Sequence, residues 1–299
     1  MLGASAIGRQ TYSTGIVFAI RCYDEIGSTN EEIKRLIARG APEGAVVTSI
    51  VQTGGYGRQG RRWSSPAGSL YLSLLLRPLD HGVNPIALPT LSLVVALAVR
   101  EVLAARAGEA ALSVKWPNDV LCDRGKLCGI SLEAVGGAVC VGIGINIFEP
   151  ETAPETTGAF RAAYLEQIAD FAELVGIENT PGIAKAVGGA RALGVAKAPD
   201  GAERRHEGRD DVLESVAGQL LSVLDRRYSR WLDEGFRAFL DEYNEHSFLD
   251  GMTVGIASMS GEMVDGGKVV RVDECGNLVL LAEDGLEHAV ASGEAHIVL

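Results

Sequence analysis

Apolar and polar positions alternate in blocks along this chain. Ala45-Val46-Val47 and Ile50-Val51 form one apolar run and Leu70-Tyr71-Leu72-Ser73-Leu74-Leu75-Leu76 another. The second predicts a strand, with Tyr71 and Ser73 on one face by two-residue alternation, ended by Arg77-Pro78. Residues 86–106, rich in Leu, Val and Ala, predict a mostly buried helix. A shorter helix is predicted from Ser28-Thr29-Asn30-Glu31-Glu32, where Thr29 and Glu32 have capping-box spacing, to Gly40. Residues 112–116, 120–122, 126–135 and 138–147 read as strands, with turns at Asp123-Arg124-Gly125 and Gly136-Gly137. Residues 160–176 have helical periodicity, residues 178–211 lose apolar density and read as a loop insertion, and 211–246 are helical again. From Phe248 onward short strands alternate with Gly, Asp and Asn turns, which suits a small β-barrel.

This texture predicts an α+β fold: a mixed, largely antiparallel sheet covered by helices on one face, followed by the C-terminal β-barrel. The expected organisation is a short tail or first strand over 1–20, a main α+β domain over 21–247 and the barrel over 248–299.

Composition narrows the function classes. In 299 residues, 47% are hydrophobic and 22% charged, enough for a packed core. The net charge of -12 argues against broad nucleic-acid binding. No apolar run approaches the ~20 residues of a membrane helix, and the N-terminus lacks a signal-peptide pattern. The five cysteines lack zinc-type pairing, so reduced thiols in a cytoplasmic protein are expected.

Against that acidic background, Gln52-Thr53-Gly54-Gly55-Tyr56-Gly57-Arg58-Gln59-Gly60-Arg61-Arg62-Trp63 stands out, with four glycines, three arginines and no acid. Such a loop can clamp an anion, because glycine lets backbone approach a ligand and arginine forks match carboxylate and phosphate oxygens. A surface hairpin with solvated arginines fits the same composition. Lys115 at a strand end and Lys126 near another can each snorkel to solvent. Together with Arg58 and Arg61 they can also balance a triphosphate. Glycines alternate with isoleucines in Gly142-Ile143-Gly144-Ile145-Asn146, as where a ligand or backbone comes close. The chain has no Walker-type phosphate loop, and its five histidines fall outside all these segments.

The ordered set Ser28-Thr29-Asn30, Gln52–Trp63, Lys115-Trp116-Pro117-Asn118-Asp119, Lys126-Leu127-Cys128-Gly129-Ile130 and Gly142–Asn146 resembles the biotin protein ligase family. The family pattern is Ser-Thr-Asn, Gly-Arg-Gly-Arg-x-Gly-Arg-x-Trp, Lys-Trp-Pro-Asn-Asp, Lys-x-x-Gly-Ile and Gly-x-Gly-x-Asn. The resemblance covers about residues 21–299 and implies a mixed sheet followed by an SH3-like barrel. It implies a two-step reaction: biotin and ATP give biotinyl-5′-AMP and pyrophosphate, and a carrier lysine then takes the biotin. ATP with Mg²⁺ carried mainly on the nucleotide, biotin as substrate and a biotin carboxyl carrier protein as acceptor are the implied partners. No protein metal site, membrane contact or specific DNA binding is expected, since few residues precede Arg21. A homodimer is left open.

Carried over residue by residue, the resemblance places Ser28, Thr29 and Gln52 on the biotin ureido group. It places Gly55 and Arg58 in the loop over biotin and phosphate, and Leu70, Tyr71 and Ser73 along the biotin pocket. Lys126, Gly129 and Gly142 border biotin, with Lys126 at its carboxylate. Arg58, Arg61, Trp63, Lys115, Asn118, Asp119 and Asn146 serve the nucleotide, and Arg58, Lys115 and Lys126 carry the catalysis. Tyr56 departs from the pattern, standing where the family has its first arginine and removing one charge from the clamp. The glycine-rich loop is expected to open without ligand and order with it. Lipoate ligation on the same fold, and a sensor that binds biotin or nucleotide without turnover, are the alternatives.

Overall fold

The structure, a computed structural model, describes residues 6–11, 16–107, 112–151, 160–169, 203–258 and 261–298. In chain order the elements are β1 Ala6–Thr11, β2 Val17–Ile26, α1 Thr29–Ala38, β3 Ala45–Gln52, β4 Leu70–Leu76, α2 Thr90–Ala107, β5 Leu112–Lys115, β6 Asp119–Cys122, β7 Gly125–Val135 and β8 Ala138–Ile145. After them come α3 Glu203–Glu234, α4 Leu240–Glu245, β9 Thr253–Ala257, β10 Met263–Val272, β11 Leu278–Leu281, β12 Glu287–Val290 and β13 Glu294–Ile297.

The first eight strands form one sheet in the order β1-β2-β3-β4-β8-β7-β6-β5. Only β2 and β3 run parallel, with α1 between them in the chain, and every other pair is antiparallel. Two-residue alternation sorts the side chains of the central strands. Leu70, Leu72, Leu74 and Leu76 of β4, with Val139, Val141, Ile143 and Ile145 of β8, join α2 and α3 in one apolar core. Leu75 and Cys140 face the other way, onto Ile33, Leu36 and Ile37 of α1. The sheet is therefore covered on both faces, where one covered face was expected. The ten-residue α1 supplies the second cover, because Ile33, Leu36 and Ile37 are spaced to line one side of it.

Several boundaries differ from the sequence reading. The sheet begins ahead of residue 21, since β2 crosses that position and β1 pairs with it. Residues 160–169 form no α-helix. They run extended beside β7, with Lys126 N–H donating to Arg161 O and Ala163 N–H to Lys126 O, both at 2.9 Å, before one 3-10 turn at Leu165–Gln167. Tertiary hydrogen bonds here override local periodicity. Within the expected loop at 178–211, residues 203–211 already belong to α3, whose charged first turns are compatible with helix. Residues 170–202 lie outside the described residues. The helical stretch 211–246 is interrupted at Gly235, whose φ of 70° ends α3 before α4 begins.

The last five strands make an antiparallel sheet in the order β12-β11-β10-β9-β13. It is not separately packed: Val254, Ile256, Val272, Leu278 and Ala295 belong to the same apolar core as α2 and α3.

Candidate active site

The apolar core stops at one end of the sheet, on the face that carries α1. Here β4, β7 and β8 turn Tyr71, Gly129, Ser131, Gly142 and Gly144 into a cleft of about 190 Å³. Loop 52–63 crosses its mouth, and Glu294 of β13 reaches in from the C-terminal sheet.

One end of the cleft is a floor of neutral hydrogen-bonding groups. The Gln52 amide oxygen accepts from Thr29 N–H at 2.8 Å and from the Thr29 hydroxyl at 3.0 Å, while its NH₂ donates to Ser65 Oγ at 3.0 Å. The predicted capping box is thus replaced: Ser28 takes the N-cap position without a side-chain bond, and Thr29 N–H is met by a distant side chain. Behind this floor, Ser73 Oγ is 2.7 Å from Thr29 Oγ1 and 2.6 Å from Asn30 Oδ1. Asn30 Nδ2 donates to Ser131 Oγ at 3.1 Å. A Cβ at Gly142 would stand 2.3 Å from Asn30 Oδ1, so this glycine makes room for Asn30.

The other end is cationic. Lys126 Nζ lies 2.7 Å from Asp119 Oδ1 and 5.3 Å from the Trp63 ring centroid. Arg58 donates to Asn118 Oδ1 at 3.1 Å, and Asn118 in turn donates to Ile130 O. Lys115 is buried, its ammonium 5.6 Å from the Phe160 ring centroid. Burial pulls the pKa of Lys115 down, against an upward pull from Asp119. Burial likewise lowers that of Arg58. Three cations, Arg58, Lys115 and Lys126, face Asp119, so an entering anion finds uncompensated positive charge at low solvent exposure.

The loop itself is folded as a tight hairpin, with Gly57 N–H donating to Arg61 O at 2.8 Å and Trp63 N–H to Gly55 O at 2.9 Å. Gln59 at its tip has φ 61°, the one positive φ at a non-glycine among the described residues. Arg58 points inward, Arg61 donates to Glu294 Oε1 at 2.8 Å, and Arg62 is exposed. The stretch is thus a hairpin with Arg58 on the cleft and Arg62 exposed, a mixture of the clamp and solvated-hairpin geometries. The Trp63 ring lies on the strands, where a Cβ at Gly144 would be 2.8 Å from its Nε1 and one at Gly129 2.9 Å from its Cζ3. Among the described residues no acceptor meets the buried Trp63 indole N–H.

Of the predicted residues, Thr29, Gln52, Arg58, Arg61, Trp63, Tyr71, Lys115, Asn118, Asp119, Lys126, Gly129, Gly142 and Asn146 line the cleft. Four others do not. Leu70 alternates onto the α2 face and packs in the core. Ser73 stands behind Thr29, and Ser28, buried at the N-cap position of α1, is outside the cleft lining. Gly55 is a packing glycine, since its Cβ would lie 2.5 Å from Ser65 Oγ. Sequence reasoning missed Asn30, although it named the residue within a motif, and missed Ser131, Phe160 and Glu294. Only Asn30 carried a signal, as a buried polar residue beside the helix start.

The sheet thus delivers a neutral hydrogen-bonding floor and a cationic rim to one cleft. A family model described as biotin/lipoate A/B protein ligase family matches residues 25–147. The chain is 44% identical over 126 residues to a biotin–[acetyl-CoA-carboxylase] ligase of Paracoccus denitrificans, covering 40% of this chain and 51% of that one. It is 37% identical over 139 residues to the enzyme of that name from Mycobacterium tuberculosis, covering 44% and 52%. The matched stretch thus spans about half the length of these curated relatives. The biotin protein ligase of Aquifex aeolicus in complex with biotin and ATP superposes with a TM-score of 0.63 at 27% identity, over 93% of this chain and 98% of that one.

Proposed function

We propose that the chain is an ATP-dependent biotin protein ligase acting on a lysine of a biotin carboxyl carrier domain. The observation that carries this reading is the pairing, in one cleft, of the Thr29–Gln52 floor with Arg58, Lys115 and Lys126. A cyclic urea offers both N–H and C=O, which a rigid set of amide and hydroxyl groups can match. A dithiolane ring offers neither, and gains no hydrogen bond from the floor.

In the first step a carboxylate oxygen of biotin attacks the α-phosphorus of ATP, and the bond to the β-phosphate oxygen breaks as pyrophosphate leaves with the electron pair. Two anions must be held together, so fixed positive charge matters more than proton transfer. Arg58 and Lys126 stand where carboxylate and phosphoryl oxygens meet, and Lys115 keeps the nucleotide side positive. Trp63, with its free indole N–H, and Asn146 frame the base. In the second step the carrier amine attacks the acyl carbon, and AMP leaves. Covering the mixed anhydride with loop 52–63 protects it from water.

Mg²⁺ enters this reading on the nucleotide. The described residues hold no cluster of three or more His, Cys, Asp or Glu, and Asp119 shares its carboxylate with Lys126, a set suited to a metal already bound by phosphates. When bound, the ion would spread the triphosphate charge.

The test is incubation of the purified protein with ATP, Mg²⁺ and a carrier domain, with biotin or lipoate. Biotin-dependent pyrophosphate release and labelling of one carrier lysine are expected. Labelling by lipoate alone, or binding without pyrophosphate, overturns the reading.

A further inference from the structure

The departure at Tyr56 has a structural counterpart outside the loop. The Tyr56 hydroxyl lies 2.7 Å from Glu31 Oε1 and 3.1 Å from Glu133 Oε1, and accepts from Lys34 Nζ at 2.7 Å. The same ammonium reaches Glu31 at 3.0 Å and Glu133 at 2.5 Å, and stands 5.2 Å from the centroid of the Tyr56 ring. Glu31 and Lys34 belong to the first two turns of α1, and Glu133 to β7. These are the elements that carry Thr29 and Asn30 on one side and Gly129 and Ser131 on the other. Glu133 is tied to the floor as well, 3.3 Å from Asn30 Nδ2.

We propose that Tyr56 is a positioning residue: its hydroxyl, gripped by Lys34, Glu31 and Glu133, latches the loop that carries Arg58 onto the floor of the binding cleft. The inference rests on the ligase reading for its kinetic consequences, but the latch itself is geometric. Two carboxylates and one ammonium converge on position 56, leaving one negative charge in excess. A neutral O–H that both donates and accepts satisfies this set without adding an ion. A neutral group therefore fills the loop's first arginine position, and the cation beside it is Lys34 of the helix, itself paired with Glu31 and Glu133. Burial keeps the phenol protonated, the form that can donate to a carboxylate. Burial alone would lower the Lys34 pKa, but its bonds to Glu133, Tyr56 and Glu31 more than offset this.

The latch sets how much of the protein holds the loop closed. A ligand that needs the closed loop then binds with an apparent affinity reduced by the closed fraction, while saturating ligand restores closure. Tyr56→Phe keeps the ring against Lys34 and removes the hydroxyl bonds. The loop reports on itself, because Arg58, Arg61 and Arg62 are trypsin sites within it. Cleavage at these three, relative to the rest of the chain, is expected to accelerate about five- to tenfold in Tyr56→Phe, the loss typical of one intramolecular hydrogen bond. The KM for biotin in pyrophosphate release is expected to rise by a similar factor, with kcat within about twofold. Lys34→Met should give the same pattern, and the double variant should be no worse than either single one. Unchanged loop cleavage and unchanged KM in Tyr56→Phe overturn the latch, as does a fall in kcat at constant KM. A wild-type protein with no biotin-dependent pyrophosphate release overturns the ligase reading instead, and the cleavage comparison still decides on the latch.

Discussion

Gly142→Ala is the sharpest perturbation available, because its cost can be worked out atom by atom. The added methyl would lie 2.3 Å from Asn30 Oδ1, 2.6 Å from Ser131 Oγ and 2.8 Å from Asn30 Nδ2, so the Asn30 side chain must leave. Asn30 is buried and would forfeit its bonds to Ser73 and Ser131, with Ser131 left without that donor in a buried site. At about 1 kcal/mol per bond and a further ~1 kcal/mol for an unpaired buried group, the loss is ~3 kcal/mol. Alanine regains up to ~1 kcal/mol over glycine in a strand, leaving a net cost of about 2 kcal/mol. Asn30→Ala should cost about as much, since it deletes the same bonds. It also removes two of the three close contacts and frees the Ser131 hydroxyl, the third, to rotate away, so the double variant should be about as stable as Asn30→Ala, with a coupling energy of about 2 kcal/mol. Urea unfolding of the four proteins, fitted with a shared slope, measures this cycle. Additivity within ~0.5 kcal/mol, or a neutral Gly142→Ala, would refute the account of this glycine as space for Asn30.

Arg58→Ala and Lys126→Ala should each slow biotin-dependent pyrophosphate release about 10²- to 10³-fold, with unfolding free energy within ~1–2 kcal/mol of wild type. Normal turnover in both would remove these residues from the catalytic assignment. Glu294→Gln deletes the carboxylate that holds Arg61 and should speed tryptic cleavage at Arg61 while changing stability by less than ~1 kcal/mol, since the pair is partly exposed. Equal cleavage in the two proteins would show that the pair does not restrain the loop. Burial, with Asp211 and Asp210 nearby, pushes the Glu214 carboxyl up to about 7 from 4.5. The folded protein then holds a proton that the unfolded chain has lost, so this group should destabilise increasingly as pH rises from about 4.5 to about 7, and level off above. Solvent screening at this half-exposed site limits the effect to ~1 kcal/mol. Glu214→Gln should flatten that slope in thermal melts across the window; an unchanged slope contradicts it.

Strand alternation in Leu70–Leu76 was readable without coordinates, because side chains of a doubly covered strand must segregate by parity. The convergence of Thr29, Gln52, Arg58, Lys115 and Lys126 was readable only through motif order. Composition alone left the loop balanced between clamp and solvated hairpin. What stayed hidden depends on contacts between residues far apart in the chain. The absence of a helix in 160–169 follows from backbone bonds to Lys126 and Asn146, which no local window contains. The second covered face follows from where α1 lands. Tyr56 was marked as a lost charge, and its bond to Lys34, 22 residues away, had no local signal. Glu294 sits in a turn-rich stretch that gave no reason to look for a cleft residue.

Trp116 sits between two lysine-bearing strands of the site, yet its indole N–H donates outward to Gly276 O at 3.0 Å, in the β10–β11 turn. That turn packs so closely on α2 that a Cβ at Gly276 would stand 2.9 Å from the Thr90 methyl. Asn244 pairs with both the N–H and the C=O of Val272, at 2.7 and 3.0 Å. The C-terminal sheet is thus bolted to the eight-stranded one through the residue between Lys115 and Pro117. The change of texture at Phe248 marks a border in composition and none in cooperativity. The two sheets are expected to melt as one unit, and a graft of either onto another protein would carry an open socket where the other belongs.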